Sequence, residues 1–361
     1  MSTDQALAER LWWSDDALAV LARTALTPLA AIYGGAMATR GWLYDAGVFR
    51  TRPLALPALA IGNLSVGGTG KTPFAAWAAA TLSARGARPA ILLRGYGEDE
   101  PLVHRALNPD VPVLTDPDRV QGAARAAALG ADVVVLDDAF QHRAAARVAD
   151  VVLVSADQWP HRWRLLPAGP GRERLAAVRR ATVAVVTRKA ASREIAEAVM
   201  RAIAAVAPGV PLASVHLAPL DVRDASGRVQ PLSSLAGRSP LAVTSIADPR
   251  AFAAQLAQAG LSARLVAFGD HHDFSEDEVG RLAREAVPAG GVICTLKDHV
   301  KLAPVWPRGA PPLLYLSQRV DVESGVEALD VALTAVLAAR SRPTQPAPGA
   351  ESHGQRPPTA H

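Results

Sequence analysis

The stretch from Ile61 to Pro73, IGNLSVGGTGKTP, carries the densest chemistry in the chain. Glycines at 67, 68 and 70 let backbone N–H groups turn inward and approach phosphate oxygens closely. Lys71 adds a mobile cation for the terminal phosphates of a nucleotide, and the Thr72 hydroxyl is placed to ligate Mg²⁺. An apolar run, Leu54 to Ile61, reads as a buried strand before this loop, and Phe74 to Leu82 reads as a helix after it. The N-terminus of that helix favours an anion. Strand, glycine-rich loop, Gly-Lys-Thr and helix together have the layout of a P-loop. Ser65, Val66, Gly67, Gly68, Thr69, Gly70, Lys71 and Thr72 are the expected phosphate cradle, with Ser65 where the strict pattern has glycine.

Four further segments could join it. Val133 to Leu136 reads as a strand running into Asp137-Asp138, the place of a Walker B carboxylate that holds Mg²⁺ directly or through water. Ala139-Phe140-Gln141-His142 adds polar groups beside it. Glu98-Asp99-Glu100-Pro101 lies just past an Arg94–Gly97 turn; one carboxylate could take the proton of an attacking hydroxyl and another could ligate metal. Asp270-His271-His272-Asp273-Phe274 could be a metal site, or could supply a histidine that supports a catalytic carboxylate. The loop Leu166 to Glu173 is rich in proline and glycine and opens on Arg172, whose charge could stabilise a transferring phosphate. Each segment taken alone also reads more plainly, as a helix cap, a solvated loop or a turn.

These residues need a scaffold, and the apolar runs describe one. Pro89 to Leu93, Ala131 to Leu136, Asp150 to Ser155 and Thr182 to Thr187 are short strands without alternation, separated by helical segments. Such strands imply a parallel sheet covered on both faces, with ligands beyond the carboxyl ends. The Gly-Lys-Thr, Arg94–Gly97 and Asp137-Asp138 segments all fall at those ends. Val215 to Val229 reads as a β-hairpin turning at Asp224–Gly227. Leu241 to Ile246, Ala263 to Phe268 and Gly291 to Thr295 then supply three more strands with helices between. The expected division is an N-terminal apolar arm at 1–45, a P-loop unit at 46–215, a smaller α/β unit at 216–340 reached through the hairpin, and a disordered tail at 341–361.

The chain has 361 residues, half of them hydrophobic, a net charge of +4 and one cysteine, Cys294. That composition allows sizeable cores and excludes an internal disulfide framework or a multi-cysteine metal site. Arginine without interleaved aromatics argues against a nucleic-acid partner and fits an anionic substrate or lipid surface better. Asp4, Glu9, Asp15 and Asp16 leave no basic region for a secretory signal. The uncharged part of the apolar segment, Thr24 to Thr39, is shorter than the ~20 residues a spanning helix needs. Trp12, Trp13, Tyr33, Trp42 and Tyr44 flank or punctuate it, so a helix lying in a membrane interface is expected, with packing on the protein's own core as the alternative.

Taken in order, IGNLSVGGTGKTP, LLRGYG, EDEP, LDDAFQHR, LPAGPGRE, FGDHHDF and TLKD resemble the tetraacyldisaccharide 4′-kinase family. The resemblance runs from the N-terminal apolar segment to about residue 335. It implies ATP-dependent phosphorylation of the 4′-hydroxyl of a tetraacyl disaccharide 1-phosphate, a lipid A precursor, with Mg²⁺. It also implies an N-terminal helix docked on the cytoplasmic face of the bacterial inner membrane. Carried over by position, Lys71 and Thr72 serve phosphate and Mg²⁺, Asp99 is the base and His271 orients it. Glu100, Asp137 and Asp138 stand on the metal side, and Arg172 and Arg119 are basic residues near the site. Asn63, Arg119 and His142 are expected to bind substrate, while Lys297 and Asp298 match without an assigned role. Ligand binding is expected to close the two units and bring His271 to Asp99. The competing expectation is a P-loop ATPase or switch that needs no lipid acceptor.

Overall fold

The computed structural model describes residues 10–95, 97, 99–160, 162–235 and 237–340. The tail expected to be disordered, 341–361, lies outside the described residues, as do residues 1–9, Tyr96 and Glu98. In chain order the elements are α1 (Ala17–Ala25), α2 (Thr27–Asp45), β1 (Ala58–Asn63), α3 (Lys71–Ala84), β2 (Pro89–Leu93), α4 (Asp99–Leu107), β3 (Val113–Thr115), α5 (Arg119–Ala128), β4 (Val133–Leu136), β5 (Ala149–Ser155) and β6 (Val183–Arg188). They continue with α6 (Arg193–Val206), β7 (Leu212–Arg223), β8 (Val229–Pro231), β9 (Leu241–Thr244), α7 (Pro249–Gln258), β10 (Arg264–Ala267), α8 (Glu276–Ala289), β11 (Val292–Thr295), α9 (Leu296–Leu302), β12 (Leu313–Ser324) and α10 (Val326–Ala339).

The unbroken apolar runs became the centre of a mostly parallel sheet. Every residue of β1, β2, β4 and β5 is buried, as strands covered on both faces must be. The period of two assigns the faces. Leu59 and Ile61 of β1 pack with Phe74, Ala78 and Leu82 of α3, whereas Ala58 and Ala60 face the opposite side with Ala123 of α5. Phe74 is 1% exposed, and truncating it to alanine would cost about 3–5 kcal/mol. Pro57, without an N–H to give, delays the expected strand start from Leu54 to Ala58.

One sheet runs β10-β9-β11-β12-β7-β6-β5-β1-β4-β2-β3, with β8 paired to β7. The expected hairpin is present as β7 and β8. However, β7 also pairs in parallel with β6 and antiparallel with β12. Residue 215, the expected division point, therefore falls inside a strand shared by both ends of the sheet. α10 crosses back and packs Leu329, Leu333 and Val336 in the core beneath β1 and β5.

The β7–β12 pair has a geometric consequence for the site. β6 stops at Arg188, level with His216 of β7. β11 stops at Thr295, level with Leu316 of β12, which in turn pairs with Val222. The two parallel sets thus point their carboxyl ends toward each other. Only the middle of β7 and β12 bridges the gap, and Leu316, Ser317 and Gln318 line the cleft that opens there.

Candidate active site

The cleft has a volume of about 1120 Å³ and is lined by Gly67 to Thr72, Asp99, Glu100, Asp137, Asp138, Arg172, His271 and Lys297, among others. Gly70 enters α3 through a left-handed turn, φ 82°, which a side chain would strain. No side chain caps α3, so its first N–H groups stay open toward the cleft. Ser65 and Val66, expected in the cradle, do not line it. They are tied to the Arg172 loop, Ser65 by a bridge to Gly171 and Val66 by its N–H to the Pro170 carbonyl at 2.8 Å.

Asp138 draws the cations of this side together. Arg172 Nη1 donates to its two oxygens at 2.9 and 3.2 Å, and Lys71 Nζ is 3.5 Å away. Burial pushes the Asp138 carboxyl up, but Lys71 and Arg172 overcome it and leave the pKa lowered. Its backbone is left-handed, φ 49°, an uncommon state for a non-glycine residue. The neighbouring carboxylate braces that turn, because Asp137 Oδ1 accepts the Asp138 N–H at 2.8 Å. Asp137 Oδ2 meets His104 Nε2 at 2.9 Å in the interior. His104 escaped sequence reasoning; its signal was a position four residues after Glu100, on the same face of α4.

On the opposite wall Asp99 Oδ1 lies 3.1 Å from His271 Nδ1 and accepts the Glu100 N–H at 3.0 Å. Burial would raise the Asp99 carboxyl; the His271 hydrogen bond and the Lys297 charge reverse this and hold it at about 2. Asp99 Oδ2 is buried without a hydrogen-bond partner. Glu100 sits between the two walls, its pKa raised by burial and by the nearby Asp137 carboxylate. Asp99 and Glu100, from the acidic run that alone reads as a loop, lie in the first turn of α4. His271 and Asp99, which ligand binding was expected to bring together, are in contact here.

The other expected residues are placed as follows. His272 points away from Asp99, meeting Glu278 at 3.0 Å and stacking on Phe268 with centroids 4.8 Å apart. It serves the capping of α8, and the described residues contain no group of three or more His, Cys, Asp or Glu side chains suited to a metal. Asn63 and Arg119 are buried and do not line the cleft. Asn63 Nδ2 donates to Thr69 Oγ1 at 2.9 Å, and Arg119 donates to the backbone oxygens of Asp116 and Asp137 at 2.8 and 3.2 Å. His142 is half-buried and also outside the lining; burial and then Arg119, Arg94, Arg147 and Arg40 lower its pKa. Lys189, not among the expected site residues, lines the cleft and donates from Nζ to the Gly68 carbonyl at 2.9 Å.

The N-terminal helices meet this machinery from outside. Tyr33 Oη donates to the Arg172 carbonyl at 2.9 Å, and Trp12 Nε1 to that of Pro167 at 3.0 Å. A Cβ added at Gly34 would fall 2.6 Å from Leu165, so α2 lies tight against the Arg172 loop.

A cleft that sets two cations, Lys71 and Arg172, against a carboxylate–histidine pair is suited to moving a phosphoryl group onto a hydroxyl, which is the work of a kinase. A model of the tetraacyldisaccharide-1-P 4′-kinase family matches residues 22–101 and 97–338. A tetraacyldisaccharide 4′-kinase from Anaeromyxobacter sp. (strain Fw109-5) is 40% identical over 366 residues, covering 92% of this chain and 97% of the relative. One from Geobacter metallireducens is 37% identical over 310 residues, covering 78% of this chain and 89% of its own. The crystal structure of LpxK from Aquifex aeolicus in complex with ATP aligns with a TM-score of 0.68 at 27% identity, over 87% of this chain and 99% of that one. The chain belongs to the tetraacyldisaccharide 4′-kinase family.

Proposed function

We propose that this protein transfers the γ-phosphoryl group of ATP to the 4′-hydroxyl of a tetraacyl disaccharide 1-phosphate, giving the 1,4′-bisphosphate used in lipid A synthesis. The observation that carries the reading is the Asp99–His271 contact on the wall of the same cleft as Lys71, Asp138 and Arg172. The glycine loop acts as a P-loop. As ATP enters, Lys71 and Arg172 exchange part of their hold on Asp138 for the β- and γ-phosphate oxygens. Asp99 Oδ2 takes the hydroxyl proton as the sugar oxygen bonds to the γ-phosphorus and the bond to ADP breaks. That oxygen is covered in this conformation, so the acceptor requires a local opening of the rim.

Thr72, Asp137, Asp138 and Glu100 would offer oxygen donors to a hard divalent cation only together with the phosphate oxygens of ATP, since the described carboxylates form no group of three suited to a metal by themselves. Glu100 and Asp137 repel each other, and a cation between them would relieve that. Mg²⁺ held there would neutralise charge on the phosphate oxygens.

The acceptor carries acyl chains, and the N-terminal arm suits a lipid surface. Leu21, Ile32 and Trp42 are 66%, 70% and 63% exposed on α1 and α2, which bend by 47° at their junction. No single described helix is long and apolar enough to cross a membrane. The reading is a monotopic arm on the cytoplasmic face of the inner membrane. Vesicle co-sedimentation tests it: Leu21→Glu with Ile32→Glu should lower the bound fraction, and unchanged partitioning would refute it.

The test of the reaction is transfer from labelled ATP to the tetraacyl disaccharide 1-phosphate in detergent micelles with Mg²⁺. Labelled bisphosphate is expected. ATP hydrolysis without labelled lipid would overturn the assignment in favour of a switch-type ATPase.

A further inference from the structure

We infer that Lys297 is a positioning residue of this centre: its ammonium donates to His271 Nε2 and so fixes the neutral imidazole tautomer whose Nδ1–H faces Asp99. The inference deepens the reading of Asp99 as proton acceptor and rests on it for its catalytic meaning.

Lys297 Nζ lies 2.9 Å from His271 Nε2. Two protonated nitrogens repel at that separation, so one of them must supply a lone pair. An alkyl amine is more basic than imidazole by about four pH units. The imidazole is therefore the acceptor, and its remaining proton sits on Nδ1, 3.1 Å from Asp99 Oδ1. A ring held at both nitrogens cannot flip or swing. It occupies one Asp99 oxygen and leaves Oδ2 for the incoming proton.

The surroundings fix Lys297 in turn. Its ammonium is 3.4 Å from Asp270 Oδ1 and 3.7 Å from Asp99 Oδ2. It occupies the first turn of α9, whose N-cap Thr295 shares the buried Asp298 carboxylate with Ser245. The Ser245 carbonyl takes the His271 N–H at 3.1 Å. Lys301, one turn along α9, donates to the His272 carbonyl at 2.6 Å. One short helix thus grips the histidine loop at its backbone and at its ring. That grip explains how His271 keeps a left-handed backbone, φ 58°, which is unfavourable for a non-glycine residue. The charges facing the ring are Asp99, Asp270 and Lys297. The Asp99 hydrogen bond raises the His271 pKa above its usual value, against burial and the Lys297 charge, so the neutral ring is the form read above that raised pKa.

The test uses the full-length protein with nitrogen-15 labelled histidine. His271 signals are assigned by their loss in His271→Asn. The native protein should show Nε2 unprotonated and Nδ1 protonated at neutral pH. Lys297→Met should protonate Nε2, and Lys297→Arg, which keeps a charged donor, should restore the native pattern. Turnover gives an independent arm. Lys297→Met and His271→Asn should each lower kcat about tenfold, and the double variant should be no worse than either single one. Nitrogen signals unchanged in Lys297→Met would overturn the inference. Multiplying effects on kcat, or a rise in KM for ATP or lipid with kcat kept, would also overturn it, because Lys297 would then act on substrate directly. The nitrogen signals do not depend on turnover. Failure of the Asp99 reading would show separately, as full activity in Asp99→Asn.

Discussion

The two walls of the cleft are built differently. On the nucleotide wall, residues 63–72 carry most of the geometry within one strand–loop–helix turn, and Asn63 braces Thr69 only six residues away. On the acceptor wall, Asp99 and His271 are 172 residues apart in sequence. They come from opposite ends of the sheet and meet because two sets of carboxyl ends face each other. The first wall is a local motif that a short sequence can encode. The second exists only when β7 and β12 are paired in register. Transfer needs both, so damage on each side should look different in kinetics.

The largest effect is expected on the local wall. Lys71→Ala should lower phosphate transfer by at least ~10²–10³-fold while the thermal unfolding midpoint stays within a few degrees; equal activity would remove Lys71 from the phosphate site. On the acceptor wall, Asp99→Asn should reduce kcat by about 10²–10⁴-fold with KM for ATP nearly unchanged. A collapse of ATP affinity with turnover kept would instead make Asp99 a metal-side residue and blur the distinction between the walls. His104→Ala leaves Asp137 without its buried partner and should cost about 1.5–3 kcal/mol of stability, read by chemical denaturation. No change there would mean that His104 does not brace the carboxylate. The smallest effect belongs to the link between the arm and the nucleotide wall. Tyr33→Phe removes the hydrogen bond to the Arg172 carbonyl, worth about 1 kcal/mol, and should lower kcat a few-fold with vesicle binding intact. If vesicle binding falls and kcat does not, Tyr33 serves the surface rather than Arg172.

The pH dependence follows from the acceptor wall. Asp99 is held at about 2 in the folded state against an ordinary 3.8, so the sign is that of a depressed carboxyl. Its contribution to stability is complete above pH 3.8 and disappears as pH falls through about 2. Acid titration of the native protein and Asp99→Asn should therefore converge at low pH, and parallel curves would refute the pairing.

The strands were legible where burial is total. Pro89–Leu93 matches the expected strand at both ends, because a fully buried strand must be apolar throughout and proline marks its start. β3 and β12 went unread. β3 has three residues at the sheet edge, too few for a pattern. β12, LLYLSQRVDVES, mixes apolar and charged residues because its first residues pair with β11, Tyr315 to Gln318 line the cleft, and the rest runs beside the amino-terminal half of β7. The same strand decides where the site is. In the site itself Lys71, Asp138 and Arg172 were expected from motif and charge and do meet in the cleft, whereas the pairing of His271 with Asp99 was expected only from the family resemblance. Asn63 and Arg119 were read as substrate ligands, but polar residue type does not report burial, and both side chains are spent on backbone and loop support in this conformation.

By itself, the sequence determined the glycine-rich loop before α3, the parallel character of the sheet and the residue types that come to line the cleft. These depend on local backbone freedom, on apolar runs and on residue chemistry, all of which act over a few positions. The tertiary structure alone decided the meeting of Asp99, His271 and Lys297, the bracing of Asp137 by His104 and the seating of the N-terminal helices on the Arg172 loop. Those contacts span tens to hundreds of residues, and only the packing of the sheet and its register bring such distant groups to hydrogen-bond distance.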